Sequence, residues 1–139
     1  MILLDTNVLS ELMRPVPAGA VETWMSAQPA AGMFISAITE AELRYGLALL
    51  PEGQRHRHLL AQVEVMLAED FAGRILPFDS AAAAAYAPIA AARRLSGRPI
   101  SQADAQIAAI AASCGAVLAT RNVTDFEGCG ITVLDPWAA

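Results

Sequence analysis

The segment Ile2-Leu3-Leu4-Asp5-Thr6-Asn7 constrains the fold more than any other part of the chain. Three successive apolar residues show no alternation, so a strand built from them has no polar face to offer water. Such a strand is buried on both sides, which is the condition of a parallel sheet covered by helices. Asp5 stops the run. With Thr6 and Asn7 it supplies capping chemistry for a helix through Leu9, Leu12 and Met13, which ends at Arg14-Pro15.

The remainder repeats this alternation. Residues 18–28 are predicted to form a helix with Val21, Trp24 and Met25 on one stripe, and Phe34-Ile35 a strand. Over residues 39–50 the spacing of Leu43, Leu47 and Leu50 is helical. Pro51-Glu52-Gly53 breaks that helix, and another runs to about residue 72 with Leu59, Leu60, Val63, Met66 and Leu67 as its stripe. Ile75 to Phe78 reads as strand. Asp79-Ser80 can cap a long alanine-rich helix that stops near Ser96-Gly97, and Pro88 inside it is predicted to kink or divide it. Residues 101–113 form a further helix with Ile107 and Ile110 inward and Gly115 as its stop. Residues 116–120 and 131–134 are the last strands. The predicted fold is α/β: one domain over residues 1–139, with a small parallel sheet of four or five short strands and helices on both faces.

Composition narrows the class. A chain of 139 residues, 55% of them apolar, can bury one core. Only 17% are charged, below the roughly 25% usual for globular domains. Two cysteines, Cys114 and Cys129, show neither a disulfide framework nor zinc spacing, which fits a reducing compartment. Asp5 stands where a signal peptide needs apolar residues, and no stretch approaches the ~20 apolar residues of a membrane span. A cytoplasmic protein with no membrane contact is expected. The net charge of −5 argues against a broad basic surface for nucleic acid, and all nine basic residues are arginine.

The acids, however, are placed with a pattern. Ligands of open α/β sheets bind at the carboxyl ends of the strands. Asp5 follows the first strand, and Thr120, Arg121, Asn122 and Asp125 follow the fourth. Glu42 and Asp104 lie in early turns of helices amid apolar residues. Four carboxylates converging on one point would repel and raise one another's pKa. A hard divalent cation such as Mg²⁺ or Mn²⁺ removes that cost and supplies metal-assisted attack of water on a phosphodiester.

Each acid also has a purely structural reading. Asp5 can be an N-cap, Ser101 to Asp104 has capping-box spacing, and Asp125 can be a turn residue. Glu40 and Glu42 lie about 200° apart on a helix, so both cannot face one site, and periodicity does not choose between them.

The stretches MILLDTNVLSEL, ISAITEAELRYG, GRPISQADAQIAA and VLATRNVTDFEG, in this order, resemble the PIN-domain ribonucleases, in particular VapC-type toxins of toxin–antitoxin pairs and their FitB-like branch. The likeness reaches the closing Leu134-Asp135-Pro136-Trp137. It implies that Asp5, Glu42, Asp104 and Asp125 bind one or two Mg²⁺ or Mn²⁺ ions, and it selects Glu42 over Glu40. It implies supporting roles for Asn7, Thr120 and Asn122. It also implies an RNA substrate, cleavage leaving a 5′-phosphate, a homodimer or larger toxin–antitoxin assembly, and a small DNA-binding antitoxin whose tail obstructs the acidic site. Pro88 departs from the family's usual unbroken helix.

Other residues invite weaker readings. His56 and His58 are two apart on a helix and cannot share an ion. Arg93, Arg94 and Arg98 suit a helix C-terminus or, alternatively, an RNA-backbone track. Arg14 and Arg121 are the better candidates for phosphate contact. Trp24, Phe34, Tyr45 and Leu49 read as core or subunit interface. Two competing functions remain: a non-catalytic PIN-like binding module, and an aspartate-dependent phosphatase. The latter wants a second Asp two residues after the first, where this chain has Asn7.

Overall fold

The computed structural model describes residues 1–139. Five strands, β1 (Ile2–Leu4), β2 (Met33–Ser36), β3 (Ile75–Leu76), β4 (Val117–Ala119) and β5 (Val133–Leu134), form one sheet in the order β3-β2-β1-β4-β5, every pair parallel. Six α-helices connect and cover it: α1 (Thr6–Leu12), α2 (Gly19–Ala27), α3 (Ala37–Leu49), α4 (Gln54–Val65), α5 (Ser80–Leu95) and α6 (Gln102–Cys114). No helix is long and apolar enough to cross a membrane.

The apolar run at the start of the chain is the central strand. Leu3 and Leu4 are both fully buried, yet they belong to separate cores. Leu4 joins Val8, Ile35, Leu43 and Ala119 on one face of the sheet. Leu3 joins Leu118, Ile107, Ile110 and Phe126 on the other. Successive strand side chains point to opposite faces, so a strand with helices on both sides needs both residues apolar. Truncating Leu4 to Ala would cost about 2–5 kcal/mol, the range for a buried leucine whose site cannot collapse.

Several boundaries differ from the sequence reading, each for a local reason. Helix α3 starts at Ala37, not 39, because the Ser36 hydroxyl caps it by accepting from the Thr39 N–H at 3.0 Å. The helix predicted to reach residue 72 ends as a wider turn at Met66–Asp70, closed by the Phe71 N–H on the Met66 carbonyl at 3.1 Å. Helix α5 is not divided at Pro88. The missing N–H bond and the ring's crowding of the carbonyl four residues back are local penalties, and the small alanines of α5 and α6 pack the two helices along their length.

Strand order fixes where a site can form. The chain leaves β1 toward β2 and β3 on one side, then crosses to β4 and β5 on the other. Between the carboxyl ends of β1 and β4 the connections diverge and leave a crevice. The Asp5 N–H bonds the Ala119 carbonyl at 2.9 Å, which carries the ladder one residue past β1 and sets Asp5 at its mouth.

Candidate active site

Asp5 is both a helix cap and the floor of the crevice. Its Oδ1 accepts from the Thr6 N–H at 2.8 Å. Its Oδ2 accepts from the Thr120 hydroxyl at 2.7 Å and from Asn7 Nδ2 at 3.4 Å. Asn7 Nδ2 also reaches Thr120 Oγ1 at 3.1 Å, and Asn7 Oδ1 accepts from the Arg121 N–H at 3.2 Å. The Asn122 N–H donates to Thr120 Oγ1 at 3.1 Å. The end of β1 and the end of β4 are thereby stitched together, and Asn7, Thr120 and Asn122 all serve the one carboxylate.

Glu42 comes from α3. Its Oε1 accepts from the Thr6 hydroxyl at 2.7 Å, and that hydroxyl lies 3.1 Å from Thr39 Oγ1. Glu40 points elsewhere, pairing with Arg44 at 2.9 Å one turn along the same helix. The ambiguity that periodicity leaves between the two glutamates is resolved by these partners.

Asp104 sits in the first turn of α6. Ser101 Oγ accepts from the Asp104 N–H at 3.1 Å, so half of a capping box exists. The Asp104 carboxylate does not return to the Ser101 N–H and instead faces the crevice. Asp125 lies exposed on a 3-10 turn, Val123–Phe126, closed by its own N–H on the Asn122 carbonyl at 3.1 Å.

The crevice encloses about 570 Å³. Asp5, Glu42 and Asp104 line it, and so do Asn7, Asn122, Arg14 and Arg121. Asp125 stands outside its wall. Arg14 is engaged on the rim, its Nη1 3.2 Å from both oxygens of Glu11. Arg121 lies over the Trp137 ring, 5.1 Å from guanidinium carbon to ring centre. Thr6, Glu11 and Trp137 are also wall residues, to which the sequence alone assigns no part in the site. Glu11 is nearly buried and accepts from the Ala18 N–H at 2.9 Å. That bond, joined by Arg14, holds its carboxyl below the usual range.

The electrostatics are those of crowded carboxylates. Burial pushes the Asp5 carboxyl above its ordinary value. Hydrogen bonds from Thr120 and Thr6 pull it back, and the charges of Glu42 and Asp125 push it further up. Burial also raises Asp104, with the charges of Asp5 and Asp125 adding to the rise and Ser101 and Arg93 opposing it. Asp125 is therefore close enough to be felt by both. No three acids stand near enough to ligate one ion directly. The donor chemistry nonetheless fits a hard divalent cation: all oxygen, excess negative charge, and two carboxyls raised by burial and by neighbouring carboxylates.

Across α1 lies a second concavity of different character. Leu9, Leu12 and Met13 line an apolar groove of about 850 Å³ together with Met25, Met66 and Phe71. One face of α1 is thus a wall of the acidic crevice and the other a wall of the groove. His58 edges the groove, and His56 turns instead toward the Leu50 carbonyl. Trp24 belongs to the core on one face of the sheet and Phe34 packs against the core on the other, whereas Tyr45 and Leu49 are each 66% exposed on α3.

A family model described as PIN domain matches residues 2–127. The chain is 44% identical over 137 residues to "VapC ribonuclease Y4jK" of Sinorhizobium fredii, covering 99% of this chain and 98% of that one. It is 43% identical over 137 residues to "Toxin FitB" of Neisseria gonorrhoeae, covering 99% of each. Among solved structures, FitAcB from Neisseria gonorrhoeae superposes with a TM-score of 0.94 at 42% identity, covering 100% of both chains.

Proposed function

The chain belongs to the PIN-domain family, and on that premise we propose that it is a metal-dependent endoribonuclease acting as the toxin of a toxin–antitoxin pair. The observation that carries the reading is the crevice at the switch point of the sheet. There Asp5, Glu42 and Asp104 from three separate elements line one wall-to-wall acidic space, with Asp125 beside it. A capping role alone needs no such convergence.

Asp5, Glu42, Asp104 and Asp125 would hold one or two Mg²⁺ or Mn²⁺ ions, and the chemistry such an ion would supply there is a more acidic water and relief of negative charge at a phosphodiester. Thr120, Thr6 and Asn7 hold the oxygens of Asp5, and Thr6 holds Glu42, so both carboxylates are oriented before any ligand arrives. Arg14 and Arg121 on the rim meet the RNA backbone, where arginine's planar fork suits phosphate. No lysine or histidine is needed as a base.

The partners follow from the surfaces. An antitoxin segment with apolar side chains fits the groove across α1, and its continuation over that helix reaches the acidic crevice and obstructs it. Tyr45 and Leu49, one turn apart on α3, offer an apolar strip for a second copy of the chain. The setting is the cytoplasm. The deciding experiment is cleavage of a panel of structured RNAs with Mg²⁺ or Mn²⁺ by the native protein and by Asp5→Asn. Cleavage that requires both the metal and Asp5 supports the reading. Equal cleavage by both proteins assigns the activity to a contaminant, and turnover of a phosphomonoester without RNA cleavage assigns the site to a phosphatase.

A further inference from the structure

Arg93 is out of place for a helix-end arginine. It lies in the last turn of α5 and is only 7% exposed, while its neighbour Arg94 is in solvent. Its Nε donates to the Arg98 carbonyl at 2.7 Å. Its Nη1 donates to the Asp125 carbonyl at 2.7 Å and the Glu127 carbonyl at 3.1 Å, and lies 3.7 Å from Cys129 Sγ. The ion pairs of the chain are made by other arginines. Burying a cation against neutral carbonyls is costly. What the arrangement gains is geometry, because one planar fork ties the end of α5 to the turn that carries Asp125.

That turn needs tying. Asp125 is exposed, and no side chain holds its carboxylate. Beyond it, Gly128 and Gly130 both adopt left-handed φ values, +76° and +73°, which fold the segment back over α5. A Cβ on Gly128 would touch the Arg93 side chain at 3.8 Å, so the loop rests on the arginine stem as well as on its head. The Arg98–Glu127 pair at 3.1 Å clamps the same loop from outside, where solvent weakens it.

We propose that Arg93 is a positioning residue for the acidic site, fixing the backbone of the Asp125 turn and with it the place of that carboxylate relative to Asp5 and Asp104. The proposal rests on Asp125 being a metal ligand. Its role differs from that of Asn7 or Thr120, which hold a carboxylate directly. Arg93 holds the main chain beneath one.

The test is a double-mutant cycle on Mn²⁺ binding to the protein without RNA, read by titration calorimetry and by the Mn²⁺ electron spin resonance signal. Arg93→Lys keeps the charge but cannot reach the Arg98 and Asp125 carbonyls together. Mn²⁺ affinity should fall about tenfold or more. In the Asp125→Asn background the same change should have almost no further effect, while in the Asp104→Asn background its full effect should persist. If Arg93→Lys unfolds the protein by circular dichroism, Arg93→Gln carries the same cycle. Unchanged affinity in the Arg93 variants overturns the proposal, and so does an equal loss in all three backgrounds, which would mean a general effect on the fold. Unchanged affinity in Asp125→Asn alone overturns the assignment of Asp125 itself and the proposal with it, and leaves the RNA-cleavage test of Asp5 untouched.

Discussion

The two halves of the acidic crevice are built differently. The half contributed by β1 and α3 is locked: Asp5 accepts three hydrogen bonds and Glu42 takes the Thr6 hydroxyl. The half contributed by α6 and the 3-10 turn is loosely held. Asp104 is positioned through its N–H and Asp125 through its carbonyl, so both carboxylates remain to be ordered by what they bind. A fully locked set of four charges would be hard to fold without the ion. A fully loose one would pay for ordering at each binding event. The difference teaches that preorganisation here is partial and asymmetric.

The largest expected effect tests the locked half. Asp5→Asn should lower the rate of metal-dependent RNA cleavage by about a thousandfold, some 4 kcal/mol, measured with a fluorogenic RNA at saturating Mn²⁺. Glu42→Gln should approach that loss and Glu40→Gln should spare activity. The reverse order would break the account of α3. Thr6→Val comes next. It removes the hydroxyl that holds Glu42 without touching a proposed ligand, so metal affinity and activity should fall about ten- to a hundredfold.

A smaller effect reads one carboxylate of each half through pH. Both Asp5 and Asp104 have pKa values raised above 3.8 in the folded protein without metal. The folded state then holds these protons more tightly than the unfolded one. Their contribution to stability is present at pH below the unfolded value and is lost as pH rises through the folded values. Metal-free thermal stability should therefore decline over that window. Asp104→Asn should flatten the decline and raise the melting temperature at neutral pH, while added Mg²⁺ or Mn²⁺ should restore the native protein. A melting temperature unchanged by Asp104→Asn would show that the repulsion is relieved without metal. The smallest effect belongs to the rim. Arg121→Gln should raise the KM for RNA a few fold and reduce its dependence on salt, with kcat nearly unchanged.

What the sequence made legible follows the range of each interaction. Ile2-Leu3-Leu4 announced a doubly buried central strand because strand burial is a local pattern. Asp5 and Ser101 announced their caps because a cap reaches only a few residues. The parallel five-stranded sheet with helices on both faces agrees with that reading. Thr6 is legible only as part of a cap, because its partner Glu42 is 36 residues away. The sequence offers Arg93 only a helix-end charge or an RNA-backbone track, because nothing local shows that residues 125–129 fold back over it. The apolar spacing of α3 could not choose between Glu40 and Glu42, whereas their partners Arg44 and Thr6 do. Of the kink or division expected at Pro88, division does not occur: α5 runs on through it, a local penalty outweighed by packing along the helix.

The central position of β1 also sets a timetable. The first strand to leave the ribosome has one of its two neighbours, β4, still more than a hundred residues from being made. At roughly 5–20 residues per second, about ten seconds pass before Thr120 can reach Asp5. Until then the nascent chain carries Asp5 and Glu42 with no second bank to face them. On the proposed function the crevice is thus incomplete while the chain is being made, and an inhibitor that covers it has that interval in which to be waiting when the two banks meet.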